Sequence, residues 1–468
     1  MEPFFQALVH PLFTTQSTFL LLRVCALPKL NFTCRTLPSS LTLSACAAFD
    51  QLVLSAAMTT LRLDKGSLPG EALSVLALPL RHGGFGLRSM AATAPAAFLG
   101  SLAAAARHLP PTWQLDTIPL VEEISRALLH CKLPGLRLPP ATSFLACAAR
   151  RPPRYLQHSI TAAIEDRLAR SVGAISIALS SHLLSLRQAG ASGWLVATPS
   201  RPELMLCDDD FRLAARLRLR LPPSSSVSAT HCLCGDELLP DHFMACKRLK
   251  RRTVTSRHAA LLQLLVAFLR EAGLQPIPEA RTEDGERPDL RLSLDGASFL
   301  LDLSVTHPTT PSALRTNRSS RPLGAAKQRE YEKMHKYAAL AAVERSTVIP
   351  LVLESTGALG EGLRQFIRRI SSCSRDGEFA GASPAVVERF LVSAIAITLQ
   401  RGNAAILREG ASLLEHPRSS RSPHQHQLYF RSREPYFSSY THPRFSTRSA
   451  FGWNDGGGGA SGGSSSRQ

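Results

Sequence analysis

The stretch from residue 288 to residue 305 decides the fold, and it reads Pro288-Asp289-Leu-Arg-Leu-Ser-Leu-Asp-Gly-Ala-Ser-Phe-Leu-Leu-Asp302-Leu-Ser-Val305. Leucines at every second position of its first half are typical of a strand with one buried face. The run 299–305 is apolar except for Asp302 and Ser304, which predicts a central strand buried on both faces. The pattern therefore predicts two neighbouring strands that begin a sheet, with Asp289 just before the first strand and Asp302 inside the second.

Further elements are predicted outward from this pair of strands. Apolar periodicity predicts a helix before them and, after them, a helix, a strand and two more helices. Their expected ranges are 259–273, 324–345, 348–353, 360–372 and 384–409. Pro350 places the third strand at a sheet edge, because proline cannot donate to a strand ladder. The order of strands and helices indicates an α/β core.

The N-terminal half has the pattern of a helical protein. Apolar residues recur at three- and four-residue spacing, as at Phe49, Leu52, Val53 and Ala56, which is the period of buried amphipathic helices. The apolar stretch 4–22 lacks a clear cleavage site, so we predict a core helix rather than a signal peptide. Proline-rich joints separate a second helical stretch that extends to about residue 221.

Composition and charge narrow the class of partner. The chain has 468 residues, with 54 Lys and Arg against 36 Asp and Glu, for a net charge of +18. This excess predicts a polyanionic partner, with nucleic acid as the default, although a basic tail on an unrelated enzyme would give the same total. No run approaches the ~18 apolar residues of a membrane span, so we expect no membrane partner. The oligomeric state is left open.

A group of cysteines and a histidine has the spacing of a zinc site. Cys232, Cys234, His242 and Cys246 offer four ligands within fifteen residues, and zinc prefers such a tetrahedral set. The scattered remaining cysteines, without a secretory signal, indicate a reducing compartment. The alternatives are unligated thiols in a loop, or a ligand replaced by His231 or Cys207. Five cations follow at once and suit phosphate contacts: Lys247, Arg248, Lys250, Arg251 and Arg252.

The two carboxylates of the strand pair predict a magnesium site. Asp289 and Asp302 on adjacent strands can converge on one Mg²⁺, which takes oxygen ligands and can activate water against a phosphodiester. Lys333 is the first choice for a catalytic amine and Lys336 the second, while Glu330 is a further ligand or orients Lys333. Each residue alone also fits a turn cap, a strand-end carboxylate or a surface ion pair. Burial of Asp302, however, requires a metal or a cation beside it.

These motifs, in this order, resemble the restriction-like endonuclease of site-specific non-LTR retrotransposons. That family joins a Cys/His knuckle to an Arg-His pair, here Arg257-His258, then to Pro288-Asp289, Asp302 and a helix with Lys333-x-x-Lys336-Tyr337. The resemblance implies a restriction-endonuclease-like fold, Mg²⁺-dependent nicking of target DNA of the PD-(D/E)xK type, priming of reverse transcription at the nick, and a nuclear location. We assign Arg257 and His258, with the basic run, to nucleic-acid binding.

The N-terminal half resembles the region after the polymerase palm in the same elements. The matching stretches are 22–28, Phe49-Asp50 and 78–89, and they imply a thumb and a helical linker. The start of the chain leaves no room for a palm, so we expect a truncated element that does not polymerise alone. Asp208-Asp209-Asp210 could be read as polymerase aspartates, but we prefer an N-cap for the helix that follows.

Together these patterns predict an α+β multidomain protein. Its expected parts are a thumb-like helical remnant at 1–110, a helical linker region at 111–225, a CCHC zinc knuckle with its basic run at 226–258, a restriction-endonuclease-like domain at 259–415, and a disordered tail at 416–468. The predicted function is a retrotransposon-derived DNA endonuclease with structural Zn²⁺ and catalytic Mg²⁺, and with element RNA as a second candidate partner. The alternatives are an inactive nucleic-acid-binding remnant and a helical scaffold for proteins.

Overall fold

The computed structural model describes residues 1–64, 66, 68–108, 118–133, 135–151, 154–224, 229–249, 252–278, 287–373 and 379–415. Most of these residues are helical, and a small mixed sheet lies in the C-terminal half. The tail predicted to be disordered, at 416–468, lies outside the described residues, as do Lys250 and Arg251.

The N-terminal half consists of helices joined by short turns. Its α-helices are α1 (Glu2–Leu8), α2 (Thr15–Leu21), α3 (Asn31–Thr36), α4 (Ser39–Leu61), α5 (Gly70–Ala77), α6 (Met90–Ala105), α7 (Ile118–His130), α8 (Phe144–Arg150), α9 (Leu156–Gly173), α10 (Ile177–Leu186), α11 (Gly193–Val196) and α12 (Asp208–Arg218). The single core helix predicted over 4–22 is two helices, because Thr14 starts α2 by accepting from the Ser17 amide.

Four aromatic side chains form the centre of the N-terminal core. Phe19, Phe85, Trp194 and Phe211 are buried and contact one another edge-on or tilted, a geometry that aromatic rings prefer. The turn that presents Phe85 requires glycine at position 84, where a Cβ would lie 2.0 Å from the Leu78 carbonyl oxygen. Part of the stretch 78–89, which resembles a polymerase thumb in sequence, thus forms a tight turn in the N-terminal core.

The sheet has four strands in the order β1-β2-β3-β4. Its strands are β1 (Ile277–Pro278), β2 (Leu290–Leu294), β3 (Ala297–Thr306) and β4 (Thr347–Glu354). The first three are antiparallel neighbours, while β4 lies parallel to β3 with Asp302 opposite Pro350. The edge position predicted for Pro350 is confirmed. The short β1, which the sequence pattern does not indicate, forms the other edge.

Helices cover the sheet and connect it to the N-terminal half. They are α13 (Thr253–Glu271), α14 (Pro311–Arg315), α15 (Gly324–Lys336), α16 (Ala338–Val343), α17 (Glu361–Cys373) and α18 (Pro384–Glu415). The helix predicted over 324–345 is interrupted at Tyr337, between α15 and α16. The long α18 contributes Ala394 to the N-terminal core, Leu391 to the sheet core and Ile406 to the core beneath the cysteine cluster. One helix therefore joins three cores.

Among the residues that the structure describes, two helices are long and apolar enough to cross a membrane by length and composition, namely α4 and α18. This differs from the expectation that no run approaches such a length. Within the structure, 72% of the apolar window of α18 is buried, against 39% of that of α4. The apolar face of α18 is accounted for by the three cores that it joins, since a core helix passes the same test.

Candidate functional site

The side chains of Cys232, Cys234, His242 and Cys246 lie together. Their ligand atoms are all within 4.8 Å of one another. The Sγ atoms of Cys232 and Cys246 are 3.8 Å apart, and Cys234 Sγ is 3.3 Å from His242 Nε2. Three sulfurs and one imidazole nitrogen at this spacing form a donor set that suits tetrahedral zinc. The cluster could therefore hold a zinc ion.

Short-range turns bring these ligands together. The Cys232 amide donates to the Asp236 carbonyl, the Gly235 amide donates to the Cys232 carbonyl, and Gly235 has φ of 90°, which favours glycine. His242 begins a single helical turn whose Phe243 is buried against α18. Gly410 of α18 allows this approach, because a Cβ there would lie 2.5 Å from the Phe243 ring. The cluster is thus attached to the long helix.

Asp302 is buried and contacts two side chains, one on α15 and one at the residue that follows α15. Asp302 is only 3% exposed. Lys333 Nζ lies 2.6 Å from Asp302 Oδ2, and the Tyr337 hydroxyl donates to Asp302 Oδ1 over 2.7 Å. Tyr337 also contacts the Arg287 carbonyl, at 3.2 Å. Burial of an unpaired carboxylate is costly, and the contacts with the Lys333 ammonium and the Tyr337 hydroxyl offset that cost.

Asp289 lies beside this pair, just before β2. The register that sets Leu290 opposite Leu301 continues so that Asp289 lies beside the middle of β3, where the Leu303 amide donates to Asp289 Oδ2 over 2.7 Å. His258 Nε2 lies 3.2 Å from the same carboxylate oxygen and 3.1 Å from the Leu303 carbonyl. The hydrogen bond to Asp289 raises the pKa of His258 despite partial burial, and the charge of Asp302 adds a smaller contribution. Asp289, His258 and Asp302 therefore lie near one another where the start of β2 meets the middle of β3.

The remaining predicted catalytic residues have different neighbours. Lys336 Nζ lies 2.9 Å from the Tyr337 hydroxyl, and so reaches Asp302 only through Tyr337. Glu330 Oε1 instead accepts from the Gly362 amide at the start of α17, and burial raises the pKa of its carboxyl. Within the described residues, Glu330 forms no ion pair with Lys333. Its observed role is to hold α17 against α15.

The residues predicted to bind nucleic acid divide between surface and interior. Lys247, Arg248 and Arg252 are exposed beside the cysteine cluster. Arg257 is only 4% exposed and donates to Asn403 Oδ1 over 2.8 Å. This placement does not match direct phosphate contact by Arg257, because its guanidinium is enclosed by α18. His258, predicted for the same role, instead contacts Asp289.

Several polar side chains form a buried cluster around Asp241, next to the cysteine cluster, and no sequence pattern indicates it. Asp241 accepts from Thr309, and its Oδ2 lies 3.2 Å from His307 Nε2 and 3.1 Å from the guanidinium of Arg220. Burial opposes its charged form, but His307 and then Arg220 hold the pKa of Asp241 below its ordinary value. His307 also contacts Ser355. Only tertiary packing brings these residues together, since they are far apart in the chain.

Comparison with known proteins gives one weak similarity. No protein-family model matches the chain. The chain is 25% identical over 147 residues to the retrotransposable element SLACS 132 kDa protein of Trypanosoma brucei gambiense. The match covers 30% of this chain and 12% of that protein, so the chain spans a small part of its relative's length. The comparison supports a relation to retrotransposons. Separately, the structure contains a Cys/His cluster that could hold a metal ion.

Proposed function

We propose that the chain is a retrotransposon-derived, Mg²⁺-dependent DNA endonuclease that nicks a target site. The observation that carries the proposal is the contact of Lys333 with Asp302 in the middle of β3, beside which Asp289 also lies. Carboxylates and an amine in this combination are the groups that metal-assisted phosphodiester cleavage requires.

Each residue has a separate task in this proposal. Asp289 and Asp302 would hold Mg²⁺ through hard oxygen donors, and the ion would lower the pKa of a bound water and stabilise charge on the phosphate. Lys333 would hold the attacking water or neutralise developing charge beside it. His258 orients Asp289, and Tyr337 orients Asp302, through the hydrogen bonds described above.

The cysteine cluster would supply binding rather than chemistry. A structural zinc can order a segment too small to have its own core, and Lys247, Arg248 and Arg252 are exposed beside it for phosphate contacts. We propose target DNA as the partner, element RNA as a second nucleic acid, and a nuclear location. The restriction-endonuclease-like class of the fold is part of the same proposal.

A plasmid-nicking assay tests the proposed activity. The full-length protein with Mg²⁺ should convert supercoiled plasmid to the open circle, and Asp302→Ala should reduce the rate at least about a hundredfold, because a metal ligand is lost. Binding to the same DNA should remain. Undiminished nicking by Asp302→Ala would decisively contradict the proposal. Glu344→Ala, at a surface ion pair with Arg291, is a matched control that should nick normally.

A second candidate is a nucleic-acid-binding remnant without catalysis. The observation in its favour is that Asp302 already has an ion pair with Lys333 and accepts a hydrogen bond from Tyr337, so that a metal would compete with the lysine. Salt-dependent DNA binding by wild-type protein that does not nick with Mg²⁺ or Mn²⁺ would favour this function over the first.

A further inference from the structure

Most of the chain between Asp302 and Lys333 has basic residues and lacks acidic ones. From residue 303 to residue 329 it contains no Asp or Glu, but five cations: Arg315, Arg318, Arg321, Lys327 and Arg329. We propose that Arg315, Arg318 and Arg321, which we name the arginine face, bind the phosphate backbone of duplex DNA beside the cleavage site. The inference rests on the proposed function, because it specifies how the substrate is held.

The arginine face is presented by a connector, residues 307–323, that is pinned to the interior. His307 Nδ1 lies 2.6 Å from Ser355 Oγ, the Thr309 hydroxyl donates to Asp241, and the buried Ser319 hydroxyl donates to the Pro308 carbonyl. At the end of the connector, Gly324 packs so closely that a Cβ would lie 2.0 Å from the Arg318 carbonyl oxygen. A fixed backbone loses little conformational entropy on binding.

The arginines themselves are on the outside of this pinned connector. Arg315 and Arg321 are exposed, and Arg318 is partly exposed. Arg315 ends α14, Arg318 begins the helical turn 318–320, and Arg321 directly follows that turn, so the three arginines lie within one short segment. Arg329 pairs with Glu332, and the charge of Arg318 also acts on Glu332. In the part of the chain that the structure describes, no ion pair is recorded for Arg315 or Arg321.

The position of the connector fits duplex DNA at the proposed site. It leaves the carboxyl end of β3, at Thr306, four residues beyond Asp302. At about 3.3 Å per strand residue, this separates the connector from Asp302 by about 13 Å, which equals about four base pairs at about 3.4 Å each. A duplex with its cleaved phosphate at Asp302 would therefore reach the start of the connector, and in the proposal it continues from there along the arginine face.

The test measures DNA binding rather than cleavage. Fluorescence anisotropy with a labelled 30-base-pair duplex of arbitrary sequence, over a series of KCl concentrations without added Mg²⁺, gives the slope of log K against log salt. Replacement of all three residues of the arginine face by Gln should reduce the magnitude of this negative slope by about 2.7, at about 0.9 per lost phosphate contact. Ser320→Arg, which adds a charge to the connector, should increase it by about 0.9.

The control removes the same charge elsewhere. Arg35, Arg167 and Arg170 are exposed on α3 and α9, and their joint replacement by Gln should leave the slope nearly unchanged. An equal drop in this control, or an unchanged slope in both connector variants, would overturn the proposal. An equal effect on single-stranded RNA of the same length would overturn the assignment to duplex DNA. If wild-type protein does not nick but the connector variants shift the slope as expected, the arginine face stands while the proposed nuclease fails.

Discussion

Lys333 Nζ lies 2.6 Å from Asp302 Oδ2, and this contact joins α15 to the middle of β3 inside the protein. Both side chains are mostly buried, at 13% and 4% exposed. A buried ion pair contributes little compared with an apolar pair of the same shape, but removal of one partner leaves an uncompensated charge. The pair is therefore a point at which stability and the proposed chemistry depend on the same two residues.

Lys333→Met should destabilise the protein by about 3–5 kcal/mol, because Asp302 is left buried without a cation. The double variant Asp302→Asn/Lys333→Met should recover much of this loss, since no buried charge remains. Urea denaturation of the three proteins gives the free energies. If Asp302 also binds divalent ions, Ca²⁺ should stabilise Lys333→Met but not the double variant; additive losses in the double variant would argue against a coupled pair.

Tyr337→Phe should cost about 2 kcal/mol of stability, the typical contribution of a hydrogen bond to a charged group. Under the proposed function it should also slow nicking without abolishing it, because the Asp302 carboxylate proposed to bind Mg²⁺ remains but loses a hydrogen bond that orients it. Tyr331→Phe is the matched control, since Tyr331 is 59% exposed on α15. Thermal denaturation of both variants decides the point, and equal melting temperatures for them would refute the role given to Tyr337.

Arg257→Ala should lower stability by about 3 kcal/mol, because Asn403 loses a buried charged donor. The folded variant should bind DNA as wild type does. Arg248→Ala should behave in the opposite way, with normal stability and a salt slope reduced by about one. Paired measurements of denaturation and anisotropy check this contrast. Weakened DNA binding by a normally stable Arg257→Ala protein would restore the phosphate role that the sequence suggested.

Zinc analysis of the full-length protein should find one ion per chain, and Cys246→Ser should lose it together with several degrees of melting temperature. Loss of zinc should loosen Phe243 from α18, since the ligands hold that turn in place. Cys25→Ser, at an exposed position outside the cluster, is the control and should keep its zinc. A metal-free wild-type protein that melts at the same temperature with and without added Zn²⁺ would refute a structural site.

His182 should make the protein sensitive to acid. Burial lowers the pKa of His182 to about 3, below its ordinary value of 6.5. Its stability contribution is therefore present above pH 6.5 and is lost as the pH falls toward 3. Between pH 7 and pH 5 the loss should be about 2 kcal/mol. His182→Asn should remove that part of the pH dependence, whereas His158→Asn, exposed on α9, should retain it; identical pH profiles for all three proteins would contradict this account.

The sequence by itself determined the strands around Asp289 and Asp302, the helices that flank them and the Cys/His cluster, because each depends on local periodicity or close spacing. It also placed Pro350 at a sheet edge, since proline lacks the amide that a central strand needs. It favoured Lys333 over Lys336 as the amine near Asp302, but left open whether Glu330 is a further ligand or orients Lys333, because successive turns of one helix offered suitable groups.

Only the tertiary structure decided those contacts. The packing of α15 across β3 directs Lys333 and Tyr337 to Asp302, and turns Glu330 to the start of α17. In the same way, α18 encloses Arg257, a residue whose charge alone suggested an exposed position. Side-chain identity gives the chemistry that a residue can perform, but burial and neighbours depend on contacts between segments distant in sequence, which local patterns do not contain.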